Sequence, residues 1–216
     1  MKYNFKQKSN RFTLSPINNK AGFTLIETMV AAFILTLALT GLLTLNANTL
    51  FTARYARNQI TANYLIQEAA DSIRNDRDTT AFLHNGGGTW NSFLNKYGFT
   101  GVPSCFVPAF SGNTSSVGCS MEFSSVAPTP ISCNVAPAWG TLHCPIFNYT
   151  ASATNNSFYT YTTPSGQYVP SDFKRQILMM INPSNPNELD IKITVEWLNG
   201  GLVHSQSLQT SLLKWQ

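Results

Sequence analysis

The stretch KAGFTLIETMVAAFILTLALTGLLTL, residues 20–45, decides the fold. From Phe23 to Leu45 the chain has no proline, and Glu27 is its one ionisable side chain. At 1.5 Å of rise per residue this segment makes about 35 Å of helix, enough for a bilayer core of about 30 Å. A carboxylate in such a helix costs about 2.5 to 3.5 kcal/mol at the bilayer centre and less near the interface. Glu27 lies close to one end, so two readings stand side by side. It reaches the headgroups and does nothing more, or it meets a specific partner.

The flank before Gly22 holds Lys2, Lys6, Lys8, Arg11 and Lys20 and no acid, which keeps it cytoplasmic by the positive-inside rule. A secretory signal is cut after its apolar region at a small-x-small site. The best such place here, Leu45 to Ala47, lacks the first small residue. The string Gly22-Phe23-Thr24-Leu25-Ile26-Glu27 instead resembles the processing site of type IV prepilins and type II secretion pseudopilins.

That resemblance implies cleavage after Gly22 by a dedicated prepilin peptidase on the cytoplasmic face and N-methylation of Phe23. It also implies a pairing of Glu27 with the N-terminal amine of a neighbouring subunit. An amine and a carboxylate that are each costly in lipid become tolerable together, and the pair fixes axial register between packed helices. The leader of residues 1–22 is longer than in many type IV pilins. Its loss would remove five of the fourteen Lys and Arg and none of the ten Asp and Glu, taking the formal charge from +4 to −1. The basic balance therefore belongs to the leader, and no nucleic-acid partner is expected.

Residues 46–78 continue the helical pattern without proline or glycine. Ala62, Leu65, Ile66, Ala69 and Ile73 fall three and four apart, a stripe suited to packing under a globular head. Arg57, Glu68, Asp71 and Arg74 are free to face water. Asp71 with Arg74 and Arg74 with Asp78 are spaced for local ion pairs, each worth about 0.2 to 0.5 kcal/mol, so packing must hold this half down. Thr36, Thr40 and Thr44 recur beside Gly41 on one face of the span. They either meet a partner helix or bond back to their own helix carbonyls.

Residues 79–172 turn rich in Gly, Ser, Thr, Asn and Pro and read as a loop-rich insertion. Asn85-Gly86-Gly87-Gly88 is a turn, since no Lys-Ser/Thr follows to complete a phosphate cradle. Cys105, Cys119, Cys133 and Cys144 all lie here, spaced unlike a zinc site, so no metal or cofactor is implied. An even count outside the cytoplasm favours disulfides. Three connectivities exist; nearby cysteines meet more often, which favours Cys105 with Cys119 and Cys133 with Cys144, against free thiols. His84, His143 and His204 form no recognisable nucleophile or metal spacing. His143 beside Cys144 is the one near miss, and adjacent residues on an extended chain point apart. No catalytic residue is assigned.

Leu189, Ile191, Ile193, Val195 and Trp197 alternate with Asp190, Lys192, Thr194 and Glu196, the mark of a half-buried strand. Asn199-Gly200-Gly201 tolerates positive φ, so Leu202 to Trp215 returns as the second arm of a hairpin. Gln176 to Ile181 adds a third strand, joined through Asn182 to Asn187. The expected architecture is α+β and ladle-shaped, a long N-terminal helix whose first half spans the membrane, packed on a C-terminal antiparallel sheet head with a loop-rich insertion. Its parts are a leader (1–22), an assembly helix (23–45), an amphipathic extension (46–78), the cysteine-containing region (79–172) and the strands (173–216).

Tyr64-Leu65-Ile66-Gln67-Glu68 and Ser72-Ile73-Arg74-Asn75-Asp76-Arg77-Asp78 also look like minor pilin and pseudopilin sequences. The resemblance implies a structural subunit of a type IV pilus or secretion pseudopilus in the bacterial inner membrane, its leader in the cytoplasm and its head outside. Implied partners are other pilin or pseudopilin subunits, the peptidase and methyltransferase, an inner-membrane assembly platform and lipid. The rival is a membrane-anchored binding protein or adhesin that recognises a ligand through its loops.

Overall fold

A computed structural model describes residues 22–82, 89–101, 104–110, 118–122, 129–134, 139–150, 158–161 and 168–214. Two compact units divide the chain at Asn48/Thr49. Helix α1 (Leu25–Phe82) supplies the described part of the first unit and continues into the second. It runs past Asp78, where its sequence pattern was expected to stop. Within the extra turn the Thr80 hydroxyl is satisfied by donating to the Asp76 carbonyl at 2.8 Å. The change of composition at residue 79 marks a loss of charge rather than the end of the helix. The glycines at 86–88, read as a turn, lie outside the described residues.

The second unit is built on an antiparallel seven-stranded sheet. After the short helix α2 (Trp90–Lys96) come β1 (Cys119–Glu122), β2 (Thr129–Ser132), β3 (Ile146–Thr150) and β4 (Phe158–Thr160). The long strands β5 (Tyr168–Ile181), β6 (Glu188–Asn199) and β7 (Leu202–Leu213) follow. Residues 79–172 thus contribute a helix and four strands to what sequence shows only as loop. No alternation betrays them, because each strand has three to five residues. Trp215, expected in the last strand, lies outside the described residues.

Strand β5 is the organiser. One edge pairs with β6 from Phe173↔Trp197 to Ile181↔Leu189. The other edge takes three short partners in turn: β3 along residues 168–174, β1 at Ile177, and the segment around Phe106 at Met179. Cys105 and Val107 bond to the Met179 backbone at 2.8 and 2.9 Å. Strand β5 starts eight residues before the expected Gln176, and Pro170 hid that beginning. The proline lies beyond the last β6 pair, where one edge of β5 has no β6 neighbour to need its missing N–H.

The β6–β7 hairpin closes through Gly200 and Gly201, both at positive φ (61° and 83°), as a two-residue turn requires. A Cβ on Gly200 would also stand 2.6 Å from the Phe51 ring. Between β5 and β6, Asn182 holds the turn by accepting from Ser184 N at 2.9 Å and donating to Glu188 Oε2 at 3.1 Å.

The stripe Ala62, Leu65, Ile66, Ala69 and Ile73 is fully buried, and so are Leu189, Ile191, Ile193, Val195 and Trp197 of β6, all in one apolar cluster with Ile177 and Met179. Each large aliphatic side chain covered this way stabilises the head by about 1.5 to 3 kcal/mol. Asp71 and Arg74 do pair, at 3.3 Å and largely in solvent, while Arg77 rather than Arg74 takes Asp78.

Arg175 sits inside this core with its side chain 1% exposed. Its Nη1 donates to the Leu65 carbonyl and to Glu68 Oε2, both at 2.9 Å, and its Nη2 donates to the Met121 carbonyl at 2.8 Å. The guanidinium also lies 4.9 Å from the centroid of the Phe147 ring. Glu68, expected to face water, does so with one side while its carboxylate neutralises this buried cation.

On the opposite sheet face, the cross-strand pair Lys174 and Glu196 is covered by the segment 139–144. Glu196 accepts from Thr141 N at 2.9 Å, and Lys174 donates to the Leu142 carbonyl at 3.1 Å beneath the Trp139 ring. Burial pushes the Lys174 ammonium below its ordinary pKa, with Glu196 opposing. Disulfides Cys105–Cys119 and Cys133–Cys144 secure the middle of the chain. Asp76 docks α2 on α1 by pairing with Lys96 and accepting from the Tyr97 hydroxyl at 2.9 Å.

Three outcomes are expected. Arg175→Ala opens a cavity and strands the Met121 carbonyl, costing about 3 kcal/mol in chemical denaturation, whereas Glu68→Ala costs about 1 kcal/mol. Replacing Cys105 and Cys119 together by Ala frees a loop of 14 residues and lowers stability by about 3 kcal/mol in the same assay. Burial, reinforced at Tyr97 by Asp76, raises the Tyr97 and Tyr161 phenols well above the ordinary 10.0. The folded chain therefore keeps protons that the unfolded chain releases. Stability should hold below about pH 10 and fall above it, a fall that Tyr97→Phe makes shallower in denaturation series between about pH 9 and about pH 11.

Candidate functional site

The amino-terminal end of α1 is built from the backbone outward. Thr24 is its N-cap: Thr24 Oγ1 accepts from Glu27 N at 3.3 Å, and the Thr24 carbonyl accepts from Glu27 N and Thr28 N at 3.1 and 3.2 Å. Glu27 is the acid of the first turn. Thr24-Leu25-Ile26-Glu27 has the spacing of a capping box, and a carboxylate there is favoured by the partial positive charge of the helix start. Glu27 therefore has a local support within its own helix that neither sequence reading included. The signal was legible in the Thr-x-x-Glu spacing and was overlooked because the carboxylate drew attention to lipid.

Gly22 and Phe23 precede the helix in extended chain. Nothing lies within 4 Å of where a Gly22 Cβ would be, and Phe23 is 80% exposed. From Leu25 on, α1 has an apolar window long enough to cross a membrane, and none of it is covered within the structure. Ile26, Met29, Phe33, Ile34 and Leu37 are all exposed. A bare apolar helix of this length needs lipid or other helices around it.

The threonines of the span satisfy themselves. Thr36 Oγ1 donates to the Phe33 carbonyl at 2.8 Å, and Thr40 Oγ1 lies 3.0 and 2.9 Å from the Thr36 and Leu37 carbonyls. Of the two sequence readings, the back-bonded one is what these two residues show. Gly41 continues the helix, with open space where a Cβ would stand.

Hydrolytic or metal chemistry finds no footing among the described residues. Cys144 is in a disulfide, which removes it as a nucleophile beside His143. His204 is sandwiched in an aromatic cluster, 4.9 Å from the Tyr55 ring and 5.7 Å from Trp197. No group of three or more His, Cys, Asp or Glu could hold a metal ion among the described residues. His84 lies outside them. Sequence reasoning missed Arg175, whose burial comes from tertiary neighbours more than 50 residues away.

An uncovered, capped, acid-bearing apolar helix leads into an α+β head, an arrangement that suggests membrane anchoring. Comparison with protein families places the prokaryotic N-terminal methylation motif at residues 17–43, a match that supports a type IV prepilin-like protein. The motif implies processing by prepilin peptidase and assembly with other pilin subunits. No curated protein and no solved structure matches the chain.

Proposed function

We propose that the chain is a minor pilin or pseudopilin. Prepilin peptidase removes residues 1–22, the new terminus at Phe23 is methylated, and α1 then packs into a type IV pilus or a type II secretion-like filament. The observation that carries this reading is the exposed Glu27, the one ionisable side chain of an otherwise uncovered apolar helix, four residues after an accessible Gly22–Phe23 bond. Its helix cap reduces the cost of the charge but leaves the carboxylate outward. The terminal amine of an adjoining subunit is a partner of matching charge and depth, and the pair sets the axial step between helices.

The head supports a low-copy subunit at a tip or initiation complex, because residues 79–172 add a helix, four short strands and two disulfides to the β5–β7 ribbon. In this reading the inner membrane holds the subunit before assembly, with its leader cytoplasmic and its head outside.

Gly22→Val should leave the leader attached, seen as full-length mass in the membrane fraction. A mature-sized product beginning at Phe23 from that variant overturns the peptidase assignment. Glu27→Val should be processed normally yet enter filaments about tenfold less or worse, measured by immunoblot of sheared fibres. Wild-type incorporation would leave Glu27 with its helix-capping role alone.

A further inference from the structure

A hollow of about 570 Å³ opens in the second unit where α1 passes the ends of β3, β4 and β5 and the β6–β7 turn. That volume is in the range of small-ligand sites, about 300 to 1,000 Å³. Arg54 and Arg57 line it from α1, Tyr149 and Tyr159 from β3 and β4, Asp172 from β5, and Asn199 from the end of β6. Nothing in the filament function assigns it a role.

Its chemistry is unbalanced in one direction. Arg54 and Arg57 stand one helical turn apart, and no ion pair holds either of them among the described residues. Asn199 is 6% exposed, and its Nδ2 finds no hydrogen-bond partner there. The neighbouring Asn58 amide is already engaged, donating to the Leu198 carbonyl at 3.4 Å. The Tyr149 and Tyr159 rings stand 5.6 Å apart and inclined by 55°, with Tyr149 at the surface. Arg57, Tyr159 and Asp172 all line this hollow. Two guanidinium forks and two phenols thus share the lining of the hollow with one carboxylate.

The complementary ligand is anionic, rich in acceptors, carries some donors for Asp172, and has an apolar face for a tyrosine ring. An inorganic anion satisfies the arginines but makes no use of the tyrosine rings, and Asp172 repels it. A nucleic-acid strand meets the arginines well, but Asp172 repels its phosphates, and two rings tilted by 55° offer no parallel slot for a planar base. We propose that this hollow binds an acidic saccharide, a chain containing uronic acid. One sugar carboxylate takes the Arg54 and Arg57 forks, hydroxyls bond to Asp172, and a sugar C–H face lies on Tyr149.

The full chain in a polyoxyethylene detergent, which presents no sugar, is titrated calorimetrically with tetragalacturonate, a neutral glucan tetramer, oligothymidylate and sulfate. Tetragalacturonate should bind saturably and at least about tenfold more tightly than the other three. The double variant Arg54→Gln/Arg57→Gln, at two exposed positions, should weaken it about tenfold or more. Tyr149→Ala should weaken it several-fold and serves as the second variant should the double substitution alter the melting curve. Asp172→Asn decides between ligand classes: it weakens a saccharide that donates hydroxyls to the carboxylate and tightens a phosphate-bearing or simple anion. Absence of saturable binding, equal binding of the neutral glucan, preference for thymidylate or sulfate, tighter binding by Asp172→Asn, or unchanged affinity in both the arginine and tyrosine variants overturns the proposal. Processing at Gly22 does not enter this experiment, so its result stands apart from the filament reading.

Discussion

A single buried guanidinium ties the head together. Arg175 reaches from the central strand to a helix carbonyl, a helix carboxylate, the carbonyl of Met121 on β1 and the ring of Phe147 on β3. Planar, permanently charged and able to donate in several directions at once, it does what no apolar residue in its place does. The aliphatic stripe of α1 and the alternating face of β6 supply the bulk of the attraction, which is non-directional. Arg175 supplies direction, fixing which turn of the helix lies over which residue of β5. Its charge is supportable in the core because Glu68, about half in water, shares it.

The two parts of α1 meet opposite demands with the same secondary structure. In the second unit a narrow apolar stripe is covered by the sheet, with polar residues elsewhere around the helix. In the first unit apolar side chains surround the helix, and none of the described residues covers them. Threonine is tolerated in the bare part because Thr28, Thr36 and Thr40 return their hydroxyls to helix carbonyls, which leaves an outer surface with little unmet polarity. Glu27 is the exception, and Thr24 shows how the helix start accommodates it.

What the residues disclosed in advance follows the strength of their periodicity. Ala62 to Ile73 repeat at helical spacing and Leu189 to Trp197 at strand spacing, and both faces are where such repeats put them. The turn at Gly200–Gly201 was readable because only glycine accepts its backbone without strain. Strands β1 to β4 were not, since three to five residues are too short for an alternation, and β1 and β3 are placed by β5, 18 or more residues further on. Lys174 and Arg175 concealed the middle of β5, because a charged pair reads as surface until its tertiary partners are known. At the candidate site, Gly22, Phe23 and Glu27 were legible from local sequence, while the hollow beside Arg54 depends on five separated segments and had no sequence signature.

Both disulfides join cysteines within residues 105–144, and neither makes a covalent link to α1, β6 or β7. The covalent rings they close do not encircle the spine, so the chain's topology remains that of an open thread with two small eyelets at its crown. Oxidation can therefore close both rings without locking the helix to the sheet by a covalent bond.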